Sequence, residues 1–149
     1  MTIEEVIKSS IPLKPHTRTT LNIMYSSRLV EEKISDLLKP YNISMQQYNV
    51  LRILRGQKGT PANLSTIQER MINKMSNTTR LVDKLIEKKF AERTICESNR
   101  RKVEIVITQN GLNLLSEIDP LMTKCNEDIL NLFSLQELNT LNQLLDKLK

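Results

Sequence analysis

The chain has 149 residues and carries 22 lysines and arginines against 17 acidic residues, which gives a formal net charge of +5. Its hydrophobic fraction of 39% is enough for a core and too high for a disordered tail. Only three tyrosines, two phenylalanines and three glycines are present, which excludes a β-sandwich, a propeller and a Gly-rich nucleotide loop. The composition therefore predicts a mainly helical protein of one domain, residues 1–149.

No apolar run approaches the roughly 18–20 residues that a membrane helix needs. The first residues include acids where a signal peptide has a basic start. Cys96 and Cys125 lie far apart, and with a single histidine they indicate neither a disulfide framework nor a zinc site. We therefore expect a cytoplasmic protein with no membrane segment, metal or cofactor.

The positive charge is concentrated in the middle of the chain. Residues 52–102 hold 13 basic and five acidic residues, a net charge of +8, whereas the remainder has a net charge of −3. A basic region of this kind is typical of a nucleic-acid surface. It is also typical of an ordinary solvated face.

Helical periodicity begins after the N-terminal segment. Residues 1–15 show no period and contain two prolines, so no helix is expected there. Residues 17–38 carry an apolar stripe at helical spacing, which Pro40 ends. Residues 44–47 (SMQQ) then form a capping box that opens a helix ending at Gly56.

Two short helices follow. Residues 65–68 (STIQ) are interpreted as a capping box that starts a helix ending near Ile72. A second helix is predicted from Lys74 or Ser76 to Lys88, and the pair has the spacing of a helix-turn-helix.

The period then changes to two, which predicts a β-hairpin. Its strands are residues 90–95 and 103–107, and its tip is the polar, basic segment 96–102. A helix-turn-helix followed by a basic hairpin is a winged helix. Thr108 then caps a helix in which Pro120 should cause a kink or a break, and residues 134–137 (SLQE) open the last helix.

Three stretches, in the correct order, resemble the MarR family of bacterial winged-helix regulators. Residues 78–85 (TTRLVDKL) are similar to its recognition helix, TVTRLVDRL, and residues 90–93 (FAER) to its first wing strand, LVER. Residues 99–111 (NRRKVEIVITQNG) are similar to its DRRxxxVxLTxxG. With the flanking helices the resemblance covers about residues 17–149, and it implies a DNA-binding regulator and not an enzyme.

Two positions depart from the family pattern. Asn99 stands where the family usually has an Asp that orients the wing arginine two residues later. Asn99 can still accept a hydrogen bond, but it brings no charge, so we expect a weaker hold on Arg101. Lys89 stands where the family usually has Gly, so a left-handed backbone there would carry a modest conformational cost.

The candidate DNA-binding residues lie on the recognition helix and the wing. Arg80 is the candidate for a guanine or phosphate contact, Lys74 and Lys84 are candidate phosphate clamps, and the resemblance implies that Arg101 contacts the minor groove. N-capping is the alternative for the short polar side chains, and a solvated turn is the alternative for the wing. Ser65 and Gln68 are expected to cap, with a phosphate contact as the second possibility. The full set is Lys74, Ser76, Asn77, Thr78, Thr79, Arg80, Lys84, Arg100, Arg101 and Lys102.

The terminal helices, residues 17–38 and 108–149, carry more leucines than the winged helix at residues 44–107 requires. Such stripes are often intramolecular core, but little chain remains to cover them, and the resemblance implies a homodimer joined through these helices. We expect a homodimeric repressor on a pseudo-palindromic operator in double-stranded DNA, released by a small ligand or an oxidant. The alternative is a protein-interaction module with weak nonspecific DNA affinity.

The sequence leaves the effector open. An aromatic ligand could lie among His16, Tyr25, Arg28, Tyr41 and Tyr48, although each is more typical of core or surface. Arg93 and Arg100 could lower the pKa of Cys96, but its position differs from that of the N-terminal cysteine in the family's hydroperoxide sensors.

Overall fold

Residues 1–149 are all described by a computed structural model, which contains seven α-helices and one antiparallel β-hairpin. A 3-10 turn, Lys39–Tyr41, follows the second helix. No helix is both long enough and apolar enough to cross a membrane. In chain order the elements are α1 (Ile3–Val6), α2 (Pro15–Leu38), α3 (Met45–Gly56), α4 (Leu64–Arg70), α5 (Thr78–Glu87), β1 (Ala91–Cys96), β2 (Asn99–Ile107), α6 (Gln109–Ile129) and α7 (Leu135–Asp146).

Side-chain caps set most of the helix starts. Ser44 and Ser134 form the capping boxes that their sequences predict, and Thr108 caps α6 through the amide of Gly111. The predicted box at Ser65 is wrong, because Asn63 caps α4 and the Ser65 hydroxyl donates to the Asn63 side chain at 2.7 Å. An Asn two residues upstream satisfies the first amides equally well.

The N-terminal segment contains a helix that the sequence analysis did not predict. Thr2 and Glu5 form a capping box around α1, and Glu4 accepts a hydrogen bond from Arg18 on α2 at 2.8 Å. Pro15 does not prevent a helix, because it occupies the first turn of α2, where its missing N–H costs nothing.

The helix α6 continues through Pro120, so the predicted break is wrong. Leu115, Ile118 and Met122 are buried on both sides of the proline, and this packing holds the two halves of the helix in one element. Next to the proline, Asp119 accepts two hydrogen bonds from Arg55 on α3, at 2.7 and 3.2 Å. These bonds raise the pKa of Arg55 and connect α3 with α6.

The buried core joins the winged-helix elements to the end of α2 and to α6 as far as Met122. By contrast, Leu38 is the only buried residue of α2, and α7 has none. Seventeen buried residues form one cluster: Leu38, Ile43, Tyr48, Val50, Leu51, Leu54, Ala62, Ile67, Met71, Val82, Leu85, Ala91, Ile105, Leu114, Leu115, Ile118 and Met122.

The base of the hairpin and the start of α6 meet at a site we call the wing–α6 junction, formed by Lys89, Phe90, Thr108 and Gly111. Lys89 has a left-handed backbone, with φ of 64°, as its place in the family pattern indicated. Thr108 donates its hydroxyl to the Lys89 carbonyl at 2.7 Å and its amide to the Phe90 carbonyl at 3.1 Å. A Cβ on Gly111 would overlap the Phe90 carbonyl oxygen and lie 2.7 Å from Ile107 Cγ1.

We predict that Gly111→Ala lowers the free energy of unfolding by about 1–3 kcal/mol, because the added methyl group overpacks the junction. Gly56→Ala is the matched control, since nothing lies within 4 Å of its added Cβ. It should be neutral or stabilising by up to about 1 kcal/mol. Urea denaturation followed by circular dichroism measures both, and equal stability of the two variants would contradict the close approach at Gly111.

Candidate nucleic-acid interface

The helix-turn-helix consists of α4, the turn 71–77 and α5. Gln68 on α4 connects all three parts, an arrangement we call the Gln68 bridge. Its side-chain oxygen accepts a hydrogen bond from the Thr78 hydroxyl at the start of α5. Its amide nitrogen donates to the Lys74 carbonyl in the turn at 2.5 Å. The expected capping or phosphate role of Gln68 is therefore replaced by an internal one.

The predicted recognition helix starts later than expected, because the Asn77 side chain caps it by accepting the Arg80 amide at 3.1 Å. Val82 and Leu85 are buried on its inner face. Thr79, Arg80 and Lys84 are exposed on its outer face. The helix thus presents a hydroxyl and two cations outward.

Not every predicted contact residue faces outward. Thr78 is only 6% exposed and bonded to Gln68, so it belongs to the interior of the helix-turn-helix. The Lys74 ammonium donates to the Glu69 carbonyl of α4. Ser76 is half-buried, and its hydroxyl oxygen has no hydrogen-bond partner.

An open cleft of about 360 Å³ lies between the start of α3 and the outer face of α5. Two cations and no acids line it, and Leu81 is its one hydrophobic residue. The Lys84 ammonium lies 3.3 Å from Glu87, a pair exposed enough to be weak. Such a cleft offers amide, hydroxyl and cationic donors to an anionic oxygen. Its lining residues are Gln46, Gln47, Asn73, Ser76, Asn77, Arg80, Leu81 and Lys84.

The wing differs from the prediction at its tip. The strands extend to Cys96 and Asn99, which leaves only residues 97 and 98 in the turn. Ile95 pairs with Val103, and the next residue of β1, Cys96, pairs with Asn99. Residues 100–102 therefore form a bulge in β2. The exposed side chains of Arg100, Arg101 and Lys102 therefore come from a bulged strand and not from a loop.

Asn99 accepts a hydrogen bond in the wing, as expected, but its donor is the Arg101 backbone amide at 3.1 Å. The bond orients the backbone of the bulge and leaves the Arg101 guanidinium free of any ion pair. The wing is also connected with the recognition helix, because Arg93 on β1 donates a hydrogen bond to Asp83 on α5 at 2.7 Å. Asp83 was not among the predicted site residues.

The thiol of Cys96 lies 3.0 Å from the Ser98 hydroxyl. This hydrogen bond, with the backbone amides of Ser98 and Asn99, lowers the pKa of Cys96. The expected cause, proximity to Arg93 and Arg100, is wrong because neither arginine contributes. Cys125 is the second free thiol.

The aromatic candidates for the effector site have different surroundings within the chain. Tyr48 is 8% exposed and belongs to the core, and Tyr41 is partly buried against it. Tyr25 lies beneath Arg28, whose guanidinium carbon is 5.1 Å from the ring centre. No three His, Cys, Asp or Glu side chains are grouped as metal ligands.

Three features of the interface were missed by sequence reasoning: the Gln68 bridge, the Asp83–Arg93 pair and the position of Gln46 in the cleft. Gln68 and Gln46 both lie in sequences that resemble capping boxes, which offered a local explanation for them. The spacing of Asp83 and Arg93 indicated no contact, because the partners lie on different elements.

This arrangement, a cationic helix-turn-helix followed by a basic hairpin, defines a winged-helix protein. The model of the MarR family matches residues 43–103. The HTH-type transcriptional regulator PecS of Dickeya dadantii is 29% identical over 126 residues, which cover 83% of this chain and 75% of PecS. Transcriptional repressor MprA of Escherichia coli is 24% identical over 152 aligned positions, covering 98% of this chain and 86% of MprA.

Solved structures share the fold. BpsR of Bordetella bronchiseptica, described with regulation of its DNA binding by 6-hydroxynicotinic acid, has a TM-score of 0.81 and 17% identity and covers 93% of this chain and 97% of its own. A mutant MarR of Escherichia coli complexed with operator DNA has a TM-score of 0.76 and 20% identity, covering 85% and 89%. Residues 43–103 of the chain are thus similar to the MarR family, and the relatives that match more of the chain are named as transcriptional regulators.

We predict that Gln68→Ala lowers the free energy of unfolding by about 1–3 kcal/mol, because the buried Thr78 hydroxyl loses its acceptor. Thr78→Val removes the same bond from the other side. Together the two changes should cost less than the sum of the single changes, since the bond is lost only once. Urea denaturation of the two single variants and the double variant measures this coupling, and strict additivity would contradict the bridge.

Proposed function

We propose that the protein is a homodimeric repressor that binds a pseudo-palindromic operator. Residues 44–107 form its DNA-binding lobe, and residues 17–38 and 108–149 form its dimerisation lobe. The observation that carries the proposal is the polar cleft on the recognition helix, lined by Arg80 and Lys84 with no acid among its lining residues. A phosphate is the anion that DNA presents to such a surface.

The contact residues divide by the chemistry they offer. Thr79 and Arg80 face outward from the first turn of α5, the part of a recognition helix that reaches base edges in the major groove. Ser76, Asn77 and Lys84 line the cleft and are proposed to bind phosphate. Lys74 contributes charge only, since its ammonium already donates to the Glu69 carbonyl of α4.

The wing is proposed to insert Arg101 into the minor groove. Its guanidinium has no carboxylate partner, and the hydrogen bond that its backbone amide donates to Asn99 holds the bulge from which it projects. A narrow A·T-rich minor groove has enhanced negative potential and attracts such an arginine. Arg100 and Lys102 flank it and are assigned to the DNA backbone.

Dimerisation is supported by the apolar faces of the terminal helices. Leu135, Leu144 and Leu148 are 76%, 55% and 71% exposed in a single chain. A second copy packed by a two-fold axis would cover these leucines and place the two recognition helices about 34 Å apart, which is one turn of DNA.

Repression and release are supported by the relatives. MprA is named as a transcriptional repressor, and the BpsR structure concerns regulation of DNA binding by a small aromatic acid. A dimer bound to an operator that overlaps a promoter would block transcription. An effector that binds better to a dimer with another lobe spacing would shift the population away from the DNA-bound form.

The deciding experiment compares binding to a pseudo-palindrome from the protein's own promoter with binding to scrambled DNA, at two salt concentrations. Specific binding should exceed nonspecific binding by at least about 10³-fold. Equal affinities for the two sequences would support the alternative, a protein-interaction module with weak nonspecific DNA affinity.

We predict that Arg101→Ala weakens binding to the operator by about 1–3 kcal/mol and changes nonspecific binding much less. Lys84→Ala is its counterpart, because loss of a phosphate contact should weaken both and reduce the salt slope by about one. Titrations at four salt concentrations separate the two roles. An unchanged operator affinity of Arg101→Ala, or an effect of Lys84→Ala confined to one sequence, would contradict the assignments.

We predict that the double variant Leu144→Glu, Leu148→Glu converts the dimer into a monomer, because the two introduced charges would be buried without partners at the subunit interface. Ile72→Glu is the control. Ile72 is likewise an exposed apolar residue, at 86%, but it lies in the helix-turn-helix and outside the proposed subunit interface. Sedimentation velocity measures the mass of each. A wild-type monomer, or a double variant that sediments as the wild type does, would refute dimerisation through α7.

A further inference from the structure

The turn of the helix-turn-helix exposes a large apolar side chain beside the cationic cleft. Met75 is 91% exposed and immediately precedes Ser76 and Asn77, which line the cleft. Ile72, at the α4 side of the same turn, is 86% exposed. Single exposed apolar residues are common on protein surfaces, so exposure alone assigns no role to either.

The turn holds Met75 in a defined place. The Met75 amide donates to the Asn73 side-chain oxygen at 3.0 Å, and the Ser76 amide donates to the Asn73 carbonyl at 3.2 Å. On the other side of Met75, the Lys74 carbonyl accepts from Gln68 at 2.5 Å. Hydrogen bonds therefore anchor the backbone on both sides of an apolar side chain that contacts almost nothing in the protein.

Two polar side chains of the turn, Asn73 and Lys74, are bonded within the protein. Asn73 caps the Met75 amide, and the Lys74 ammonium donates to the Glu69 carbonyl. Ser76 and Asn77 of the same turn line the cleft, so the exposed Met75 thioether lies next to polar groups that a ligand can reach. A fixed apolar side chain beside a cationic, polar cleft fits a ligand that carries an apolar group next to an anionic one.

The surroundings identify that ligand as DNA. Arg80 and Lys84 lie in the adjoining cleft, and none of its lining residues is acidic. Such a surface favours a polyanion as the ligand and disfavours an apolar protein partner that carries no acidic groups. The apolar group that DNA presents in the major groove is the C5-methyl of thymine. Methionine is flexible and polarizable, and it can follow a small methyl group.

We propose that Met75 contacts a thymine methyl group in each operator half-site and so helps to determine which sequence is bound. The inference rests on the proposed function, because it requires a specific operator. Ile72 is assigned no base contact, since it lies at the end of the turn farther from the recognition helix.

The test uses the full-length protein and an operator selected from random double-stranded DNA. Each thymine of the selected site is replaced in turn by deoxyuridine, which lacks the methyl group and keeps every hydrogen-bonding group. For the wild type, one replacement per half-site should raise Kd about fourfold, the effect of exposing one buried methyl group. Met75→Ala should bind the thymine site about fourfold more weakly and be indifferent to that replacement.

Two controls make the outcome decisive. Ile72→Ala should retain the wild-type response to deoxyuridine, and Met75→Leu should retain most of it because an apolar chain remains. Thermal unfolding should be the same for all variants, since both side chains are exposed.

Each other result overturns the proposal. A selected operator at which no deoxyuridine weakens the wild type, or a Met75→Ala variant that keeps the response, refutes the methyl contact and leaves the repressor function standing. A loss of the response in Ile72→Ala would show that Ile72, and not Met75, makes the contact. A selection that yields no specific sequence refutes the proposed function and this inference together.

Discussion

The close approach of α6 to the base of the wing is the constraint on which the rest of the structure depends. Thr108 bonds to Lys89 and Phe90, and Gly111 lies where a Cβ would overlap the Phe90 carbonyl. Lys89 accepts a left-handed backbone so that the chain can turn there from α5 into β1. The junction thereby sets where the long helix leaves the winged helix, and with it the placement of the apolar faces relative to the recognition helix.

A second level of organisation is the internal use of polar groups around the recognition helix. Gln68 bridges α4, the turn and α5, and Asp83 pairs with Arg93 on the wing. The groups that bond within the protein are mainly amides, carbonyls and one carboxylate. The groups left outward include the cations Arg80 and Lys84 and the thioether of Met75, so the surface retains positive charge without losing the rigidity of its backbone.

The extent to which the sequence predicts the site follows from the range of the interactions. The boxes at Ser44 and Ser134, the cap at Thr108 and the period-two strands depend on neighbours within four residues, and all were found. The roles of Thr78 and Lys74 were less accessible, because Thr78 bonds to a residue ten positions away and Lys74 folds back on Glu69. At the start of α4 the sequence pattern predicted a box at Ser65, which is wrong because Asn63 caps the helix.

By itself, the sequence determined the class of the protein: its helical content, its winged helix, the concentration of charge in residues 52–102 and its resemblance to the MarR family. These properties follow from composition and from patterns that repeat within a single element. Only the tertiary structure decided which polar side chains face outward, that α6 continues through Pro120, and that the wing cations project from a bulge. These depend on contacts between elements, whose free energy exceeds the local preferences of a proline, a threonine or a loop sequence.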